Sequence, residues 1–305
     1  MKKLAFLLGL STLLVCAPML HVQGGLSGSN NAVDAQRQKT ASVYYPPRGS
    51  QWERKKPDEV MMDPALLEPA IEYIKASETR SFTRNPLENI TKRAAEEKSG
   101  EIVGPTKERG PINAIILRHG YIVAEFGEVE RQDMSFSVAK SFVSTVVGLA
   151  FDRGLIKSMS DPVRNYVKDG GYDSPQNATI TWHQSLQQTS EWEGTLWDKP
   201  DTFDRRRGRD RQLQKPGTFW EYNDVRVNRT ALSALRVWKR ALPEVLKERI
   251  MNPIGASDTW MWHGYRNSDA VVDGKTIKSV SGGGHWGGGI WLSSRDLARF
   301  GYLFL

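Results

Sequence analysis

The stretch over residues 138–151 constrains this chain most, because it is apolar on nearly every side. Apolar side chains such as Phe142 and Val147 would lie on different faces of a helix, so the stretch predicts a helix that other elements bury on all sides. Gly154 predicts its end, since glycine readily adopts the left-handed conformation of a C-terminal cap. With 305 residues, 39% of them hydrophobic, the chain can surround such a helix with one large domain or two modest lobes.

Two short apolar runs before this helix predict a β-hairpin. Residues 112–117 and 122–126 contain β-branched side chains, and Arg118-His119-Gly120 separates them. His119 is therefore more typical of a turn than of a metal ligand or a base. No further clear strand follows the helix, so we expect only the first strands of a sheet.

Helical periodicity marks much of the remaining chain. Asp63-Pro64 predicts a helix start with Asp63 as the cap. Further helices are predicted over residues 227–241, where we expect an amphipathic helix, over 243–250 and over 297–305. Residues 77–110 and 191–218 lack apolar periodicity, so we expect surface loops there.

The N-terminus has the order of an export signal. Lys2 and Lys3 precede an apolar stretch over residues 4–15, and small residues follow up to Gly24. We therefore predict a signal peptide over residues 1–24, a linker or extended arm over 25–60, and one domain over 61–305. The predicted location is periplasmic or secreted, without stable membrane insertion once the signal is removed.

Composition and motif content exclude several kinds of site. Cys16 is the only cysteine and would be lost with the signal, so the mature chain is expected to have neither disulfides nor cysteine-ligated metals. No His-Glu-x-x-His, P-loop or dinucleotide-binding motif occurs. The sequence therefore predicts no metal site and no cofactor.

The basic balance of the chain would suit a polyanion partner. The formal charge is +7, or +5 once Lys2 and Lys3 are removed with the signal. Basic residues are nevertheless dispersed, except for five arginines at positions 205, 206, 207, 209 and 211, which Asp204 and Asp210 interrupt. We interpret this cluster as a solvated loop and predict no nucleic-acid partner.

Ser137-Val138-Ala139-Lys140 is the first candidate for catalytic chemistry. Residues three apart on a helix share a face, so Lys140 would lie beside Ser137. A serine hydroxyl is a weak nucleophile until a base takes its proton, and burial lowers the pKa of a lysine so that it can act as that base. The helix N-terminus would favour a developing oxyanion. The alternative is a surface lysine with no chemical role.

Tyr222-Asn223-Asp224 is the second candidate. A phenol beside an ammonium group can pass protons to a leaving group. The alternative is a tyrosine that serves packing alone.

The two motifs, in this order, resemble the serine β-lactamase and penicillin-binding-protein superfamily, in particular class C β-lactamases, DD-peptidases and related esterases. The resemblance covers roughly residues 61–305 and rests on the joint order of its segments. These segments are residues 136–142, 156–163, 180–190, 217–224, 252–259 and 283–300.

The resemblance implies an α+β fold of the β-lactamase/transpeptidase type. An antiparallel sheet flanked by helices would carry a mostly helical second lobe. Ser137 would be the acylated nucleophile, with its backbone N–H as half of the oxyanion hole. Lys140 would activate it, and Tyr222 would pass protons.

The substrate-binding wall is predicted from the same resemblance and from the tryptophan content of the second half of the chain. The segment containing Gln188 would lie near the nucleophile. Aromatic-lined clefts suit apolar acyl groups, although packing explains most of the tryptophans. We expect Gln188, Asp224, Trp192 and Trp286 to contact the substrate.

This chain departs from the family pattern at two places. Asp224 stands where much of the superfamily has Asn, and its charge would tend to hold Lys140 protonated. His285-Trp286-Gly287 spells the late His-x-Gly of the family, yet its neighbours match the segment before that strand. We therefore expect the family's last strands to be absent, so that the chain is a C-terminally truncated form.

The sequence leaves three functional hypotheses. The first is a serine hydrolase acting on a small amide or ester through an acyl-enzyme, with an esterase or a linear-amide hydrolase of the aminohexanoate-dimer type favoured over a true β-lactamase or DD-peptidase. The second is a non-catalytic envelope binding or sensor protein that keeps the fold. The third, a basic polyanion-binding protein, is supported by charge alone.

Overall fold

The computed structural model describes residues 43–49, 51–79, 84–96 and 101–305. The predicted signal peptide, residues 1–24, lies outside these ranges. Within them, no helix combines the length and the apolar character needed to cross a bilayer.

Seven α-helices occur in the described part of the chain. Asp63 caps the first as predicted, with its side chain accepting from the Ala65 N–H. The second falls inside the expected loop over residues 77–110, so that prediction was wrong in part. The helices are α1 (Pro64–Ala76), α2 (Pro86–Glu96), α3 (Ala139–Asp152), α4 (Trp182–Leu186), α5 (Asp224–Trp238), α6 (Leu242–Leu246, continuing as a π-turn over Lys247–Met251) and α7 (Ser294–Tyr302).

Helix α3 is the buried helix that the apolar stretch predicts. Phe142 and Val146 are fully buried in it, and the Phe142 ring stacks on Phe300 of α7 with centroids 3.9 Å apart. Gly154 has a φ of 68°, as expected of the residue that stops the helix. The helix therefore forms the centre of the main core.

Helix α5 packs against α3, and its burial on several sides differs from the amphipathic helix that the sequence predicts over residues 227–241. Every residue from Asp224 to Leu235 is buried, because α3, α4 and the sheet cover it on several sides. Its polar side chains find internal partners: Arg229, for example, pairs with Asp169, and the Ser233 hydroxyl bonds with Tyr172.

The strands form three antiparallel groups among the described residues. The predicted hairpin is present as β1–β2, with His119 in its turn at a φ of 52°. A four-stranded sheet has the order β3-β8-β6-β7 and a small hairpin joins β4 to β5. The strands are β1 (Ala114–Arg118), β2 (Tyr121–Phe126), β3 (Asp133–Met134), β4 (Thr195–Leu196), β5 (Lys199–Pro200), β6 (Met261–Val272), β7 (Lys275–Val280) and β8 (Gly289–Leu292).

The expectation that only the first strands are present was wrong. Strands β6 and β7 form a long hairpin after the helical stretch, with Val272 paired with Lys275 across the turn. The polar run in the middle of β6 conceals its strand character, because its side chains alternate between burial and solvent. Asp273-Gly274 was the available signal, since both residues have positive φ and Asp-Gly favours a tight hairpin turn.

The described part of the predicted N-terminal arm lies along the β1–β2 hairpin. The buried indole of Trp52 donates to the carbonyl of Gly120 over 2.6 Å. Arg54 forms a parallel bridge with Ile122. These contacts make this part of the segment an extended arm packed on the domain.

The arginine cluster over 205–211 was predicted to be a solvated loop, and for two of its members that was wrong. Arg205 and Arg211 are largely buried, Arg205 on Asp201 and Arg211 on Glu191 and Glu221. Arg226 of α5 also pairs with Glu191, over 2.6 Å. Glu191 lies 20 residues from Arg211, so a local charge count could not reveal that pairing.

Replacing Glu191 with Gln tests this buried ion network. The change removes one carboxylate from Arg211 and Arg226 and leaves them Glu221 and Asp201 as counter-ions, so the cost should not exceed the about 3–5 kcal/mol typical of a buried charge that loses its partner. Glu248→Gln, at an exposed pair with Arg240, is the matched control and should leave the unfolding midpoint nearly unchanged. Denaturant unfolding of both variants measures the difference.

The deficit of Glu191→Gln should also depend on pH. Burial alone would raise the pKa of Glu191, but hydrogen bonds from Arg211 and the Gln214 backbone and the charge of Arg226 lower it from 4.5 to about 2. The carboxylate therefore contributes fully above the ordinary pKa, and its contribution is lost as the pH falls towards 2. A deficit that stays constant across that window would contradict this account.

Candidate active site

The backbone around Ser137 is strained, and contacts with the four-stranded sheet hold it in place. Residues Phe136–Val138 form a 3-10 turn that runs directly into α3. Phe136 has a φ of 48°, an uncommon conformation for a bulky residue, which persists where surrounding contacts hold it. Ser135 supplies such contacts, because its N–H and its hydroxyl both bond to the Ile290 carbonyl, over 3.0 and 2.7 Å. The turn leaves Ser137 exposed to solvent.

Three side chains meet at this turn, as the two sequence motifs predicted. The ammonium of Lys140, one helical turn along, donates to Ser137 Oγ over 3.2 Å. The Tyr222 hydroxyl shares a hydrogen bond with the same oxygen. The structure therefore brings Ser137, Lys140 and Tyr222 together around one hydroxyl oxygen.

Tyr222 reaches the site because Gln188 holds the segment that carries it. The Gln188 side-chain oxygen accepts from the Asn223 N–H over 2.8 Å, and its carbonyl accepts from the Glu221 N–H over 3.1 Å. Asn223 then caps α5 by accepting from the Arg226 N–H. Gln188 thus lies behind Tyr222 and holds its segment in place.

Asp224 lies between two polar groups at the base of the site. One carboxylate oxygen accepts from the Lys140 ammonium, and the other lies 3.3 Å from His285 Nδ1. Only 4% of the surface of Asp224 is exposed to solvent. The carboxylate is therefore buried but has a partner on each side.

The charges of Lys140 and Asp224 follow from this geometry. Burial alone would raise the pKa of the Asp224 carboxyl, but the charge of Lys140 and a hydrogen bond from His285 hold it far below its usual range. Burial alone would lower the pKa of Lys140, but the charge of Asp224 and the contact with Tyr222 more than offset burial and raise it. The expected neutral lysine is thus replaced by an ammonium–carboxylate pair at neutral pH.

Asp204 and Arg206 complete the surroundings. The Asp204 carboxylate accepts from the backbone N–H of Asp224 and lies 3.5 Å from the Arg206 guanidinium. Burial and the charge of Asp224 raise the pKa of Asp204 to about 6. The Arg206 guanidinium also stacks over the Tyr222 ring at 4.3 Å.

A cavity of about 450 Å³ opens at Ser137. Its size falls within the range of small-molecule sites. Its walls combine apolar side chains, three arginines and the polar groups described above. The lining residues are Thr79, Arg93, Arg109, Met134, Phe136, Ser137, Arg206, Tyr222, Asp224, Gly284 and His285.

Of the four predicted substrate contacts, the structure brings only Asp224 to this cavity. Trp192 is buried and lines a different cavity, where its indole donates to the Gly171 carbonyl over 2.7 Å. Trp286 is completely buried. Gln188 takes the supporting position behind Tyr222.

Sequence reasoning missed His285, Asp204 and Arg206 as members of the site. The His-x-Gly spelling at His285 was a usable signal, but its neighbours pointed elsewhere. Asp204 and Arg206 lay within the supposed solvated loop, where no local pattern marked them.

A metal ion would find one group of ligand atoms in the described part of the chain. Asp204, Asp224 and His285 place one such atom each within 4.8 Å of one another. The Lys140 ammonium already bonds to Asp224, and its positive charge opposes a second cation there. We retain the prediction that the protein uses no metal.

Comparison with known proteins finds a family match. The profile of the family described as Beta-lactamase matches residues 134–305, more than half of the sequence. The chain belongs to the β-lactamase family. Members of this family are generally serine hydrolases, and the α+β fold is of the β-lactamase type.

Solved structures with low sequence identity resemble this β-lactamase family member. An octameric penicillin-binding protein homologue from Pyrococcus abyssi is 18% identical, with a TM-score of 0.45 and coverage of 71% of this chain and 55% of that one. A β-lactamase/D-alanine carboxypeptidase from Yersinia pestis complexed with citrate is 15% identical (TM-score 0.41; 71% and 68%). A β-lactamase from Mycobacterium bovis is 19% identical (0.40; 68% and 58%).

The matched region therefore spans little more than half the length of two of these structures. Among curated proteins, no significant match is found.

Asp224→Asn tests the charge assignment of Lys140. The amide keeps an oxygen acceptor but removes the charge that opposes burial, so the pKa of Lys140 should fall. Acetylation of Lys140 at a series of pH values, followed by peptide mass analysis, measures this, because only the neutral amine reacts. Modification should begin at lower pH in the variant, while exposed Lys247 reacts alike in both proteins. Identical Lys140 curves would refute the assignment.

Proposed function

We propose that the protein is a serine hydrolase that cleaves an ester or a linear amide through an acyl-enzyme on Ser137. One observation carries the proposal: the exposed Ser137 oxygen lies within hydrogen-bond distance of both the Tyr222 hydroxyl and the Lys140 ammonium. A hydroxyl with a proton acceptor and a cation on the same oxygen is arranged for nucleophilic attack.

In this proposal the Tyr222 oxygen, which shares a hydrogen bond with Ser137 Oγ, takes the serine proton, and this step requires the phenol to be ionised. Lys140 is already an ammonium and has no lone pair to accept it. Two cations, Lys140 and Arg206, lie over the Tyr222 ring at 4.6 and 4.3 Å and stabilise negative charge on it. Lys140 then orients the Ser137 oxygen through its own hydrogen bond.

In acylation, Ser137 Oγ forms a bond to the carbonyl carbon while its proton moves to the Tyr222 oxygen. The carbonyl π electrons move to oxygen, where the backbone N–H of Ser137 stabilises the oxyanion. The intermediate then collapses, and the alcohol or amine leaves with the proton from Tyr222. The products of this half-reaction are acyl-Ser137 and the free leaving group.

Deacylation repeats the same proton route with water. Water bonds to the acyl carbon as its proton moves to Tyr222, and Ser137 Oγ leaves and recovers that proton. The net reaction consumes one water and releases a carboxylic acid. Neither half-reaction needs a metal or an organic cofactor.

An ester or a linear amide is proposed ahead of a β-lactam because of Asp224. It replaces the Asn of much of the superfamily with a carboxylate, and this carboxylate changes the charge next to the nucleophile. This difference supports a member that differs from the β-lactam-directed enzymes.

A fluorophosphonate probe tests the nucleophile. The wild type should gain the mass of one phosphonyl group, located on the peptide containing Ser137, and should hydrolyse a p-nitrophenyl ester faster than a chromogenic cephalosporin. Ser137→Ala should lose both, with hydrolysis reduced by roughly 10³-fold or more.

Ser144→Ala is the matched control, since Ser144 is also exposed on α3. It should retain labelling and hydrolysis. Labelling that persists in Ser137→Ala, or a wild type that neither labels nor hydrolyses, would count against the proposal.

A further inference from the structure

His285 lies next to the site, and the proton route proposed above does not use it. Its Nδ1 is 3.3 Å from one oxygen of Asp224, whose other oxygen bonds to Lys140. Lys140 in turn bonds to Ser137 over 3.2 Å. A continuous polar chain thus runs from His285 through Asp224 and Lys140 to the nucleophile.

The loop that carries His285 has little freedom. Gly287 has a φ of 85°, and a Cβ at this position would lie 2.3 Å from the Gly104 carbonyl oxygen, so only glycine fits there. The His285 ring contacts the buried Trp286 indole with centroids 4.4 Å apart, and the His285 side chain is 7% exposed. These constraints therefore fix the position of the His285 imidazole.

The carboxylate at position 224 creates a need for such a partner. A buried carboxylate oxygen without a hydrogen-bond donor is costly. The like charge of Asp204, which accepts from the backbone N–H of Asp224, also pushes on it. An imidazole N–H on the far oxygen satisfies that oxygen and opposes rotation of the carboxylate away from Lys140.

We propose that His285 is a positioning residue, which fixes the Asp224 carboxylate so that the Lys140 ammonium stays on the Ser137 oxygen. This inference rests on the proposed function and adds a residue to it. His285 acts through Asp224 rather than on the substrate. The charged groups around it are Asp204, Asp224 and Lys140, with Arg109 and Arg206 on the same cavity wall.

Three substitutions separate positioning from substrate contact. His285→Asn can place an amide N–H near the position of Nδ1, His285→Gln reaches towards that of Nε2, and His285→Ala supplies neither. Because a small misplacement of a reacting group can cost about 10²-fold, His285→Ala should slow fluorophosphonate labelling of Ser137 by roughly that factor. It should lower kcat on the p-nitrophenyl ester with KM little changed. His285→Asn should recover most of the rate, and His285→Gln should not.

A second readout needs no activity. The onset of Lys140 acetylation should move to lower pH in His285→Ala, because Asp224 no longer holds the ammonium firmly, and should return towards that of the wild type in His285→Asn. Unfolding midpoints confirm that each variant is folded.

The outcomes distinguish this inference from the proposed function. If the wild type is labelled, and His285→Ala shows the same labelling rate and the same Lys140 acetylation curve, then only the role of His285 is overturned. Equal losses in Asn and Ala variants with a raised KM also overturn it, since His285 would then act on the substrate through its other nitrogen. An inactive, unlabelled wild type overturns the proposed function, while the acetylation curves still decide whether His285 positions Asp224.

Discussion

The ion pair between Lys140 and Asp224 is the interaction on which the site depends. Both side chains are largely buried, at 17% and 6% exposure, so neither charge is stable there without the other. The pair joins the first turn of α3 to the first residue of α5. It fixes the lysine as a cation, and that charge state decides which group can take the proton of Ser137.

The fold brings these two helix starts together through contacts that lie outside the site. Arg226 of α5 pairs with Glu191 and with Asp201, so the segments before Tyr222 are tied to the helix that follows it. Strand β8 holds the turn before Ser137 through the Ile290 carbonyl. Gly284 permits the close approach of Phe136, because a Cβ there would lie 2.8 Å from the phenylalanine ring. Buried ion pairs and strain at Phe136 thus accompany the preorganised site.

Much of this arrangement is readable from the sequence, because it depends on local patterns. The buried helix follows from an apolar run, the β1–β2 hairpin from two β-branched runs, and the meeting of Ser137 with Lys140 from helical spacing. Tyr222 lies 85 residues from Ser137, so only the ordered resemblance to a family linked the two. The charge of Lys140 was suggested by the acid at position 224 and follows from the geometry.

The parts that escaped prediction depend on partners distant in sequence. Arg211 looked solvated because its acids lie outside the local window, and β6 looked like a loop because its solvent face is polar. Trp192 and Trp286 were assigned to the substrate from residue type, which does not tell whether an indole faces a cavity or the core. The export signal and the absence of the family's last strands stay predictions.

The most direct measurement is a crystal structure of the protein after reaction with an alkyl phosphonate ester. The account predicts phosphorus bonded to Ser137 Oγ, with the Tyr222 oxygen and the Lys140 nitrogen within hydrogen-bond distance of the adduct and Lys140 still paired with Asp224. Phosphorus on any other residue, or a Lys140 side chain separated from Asp224 in the adduct, would contradict it.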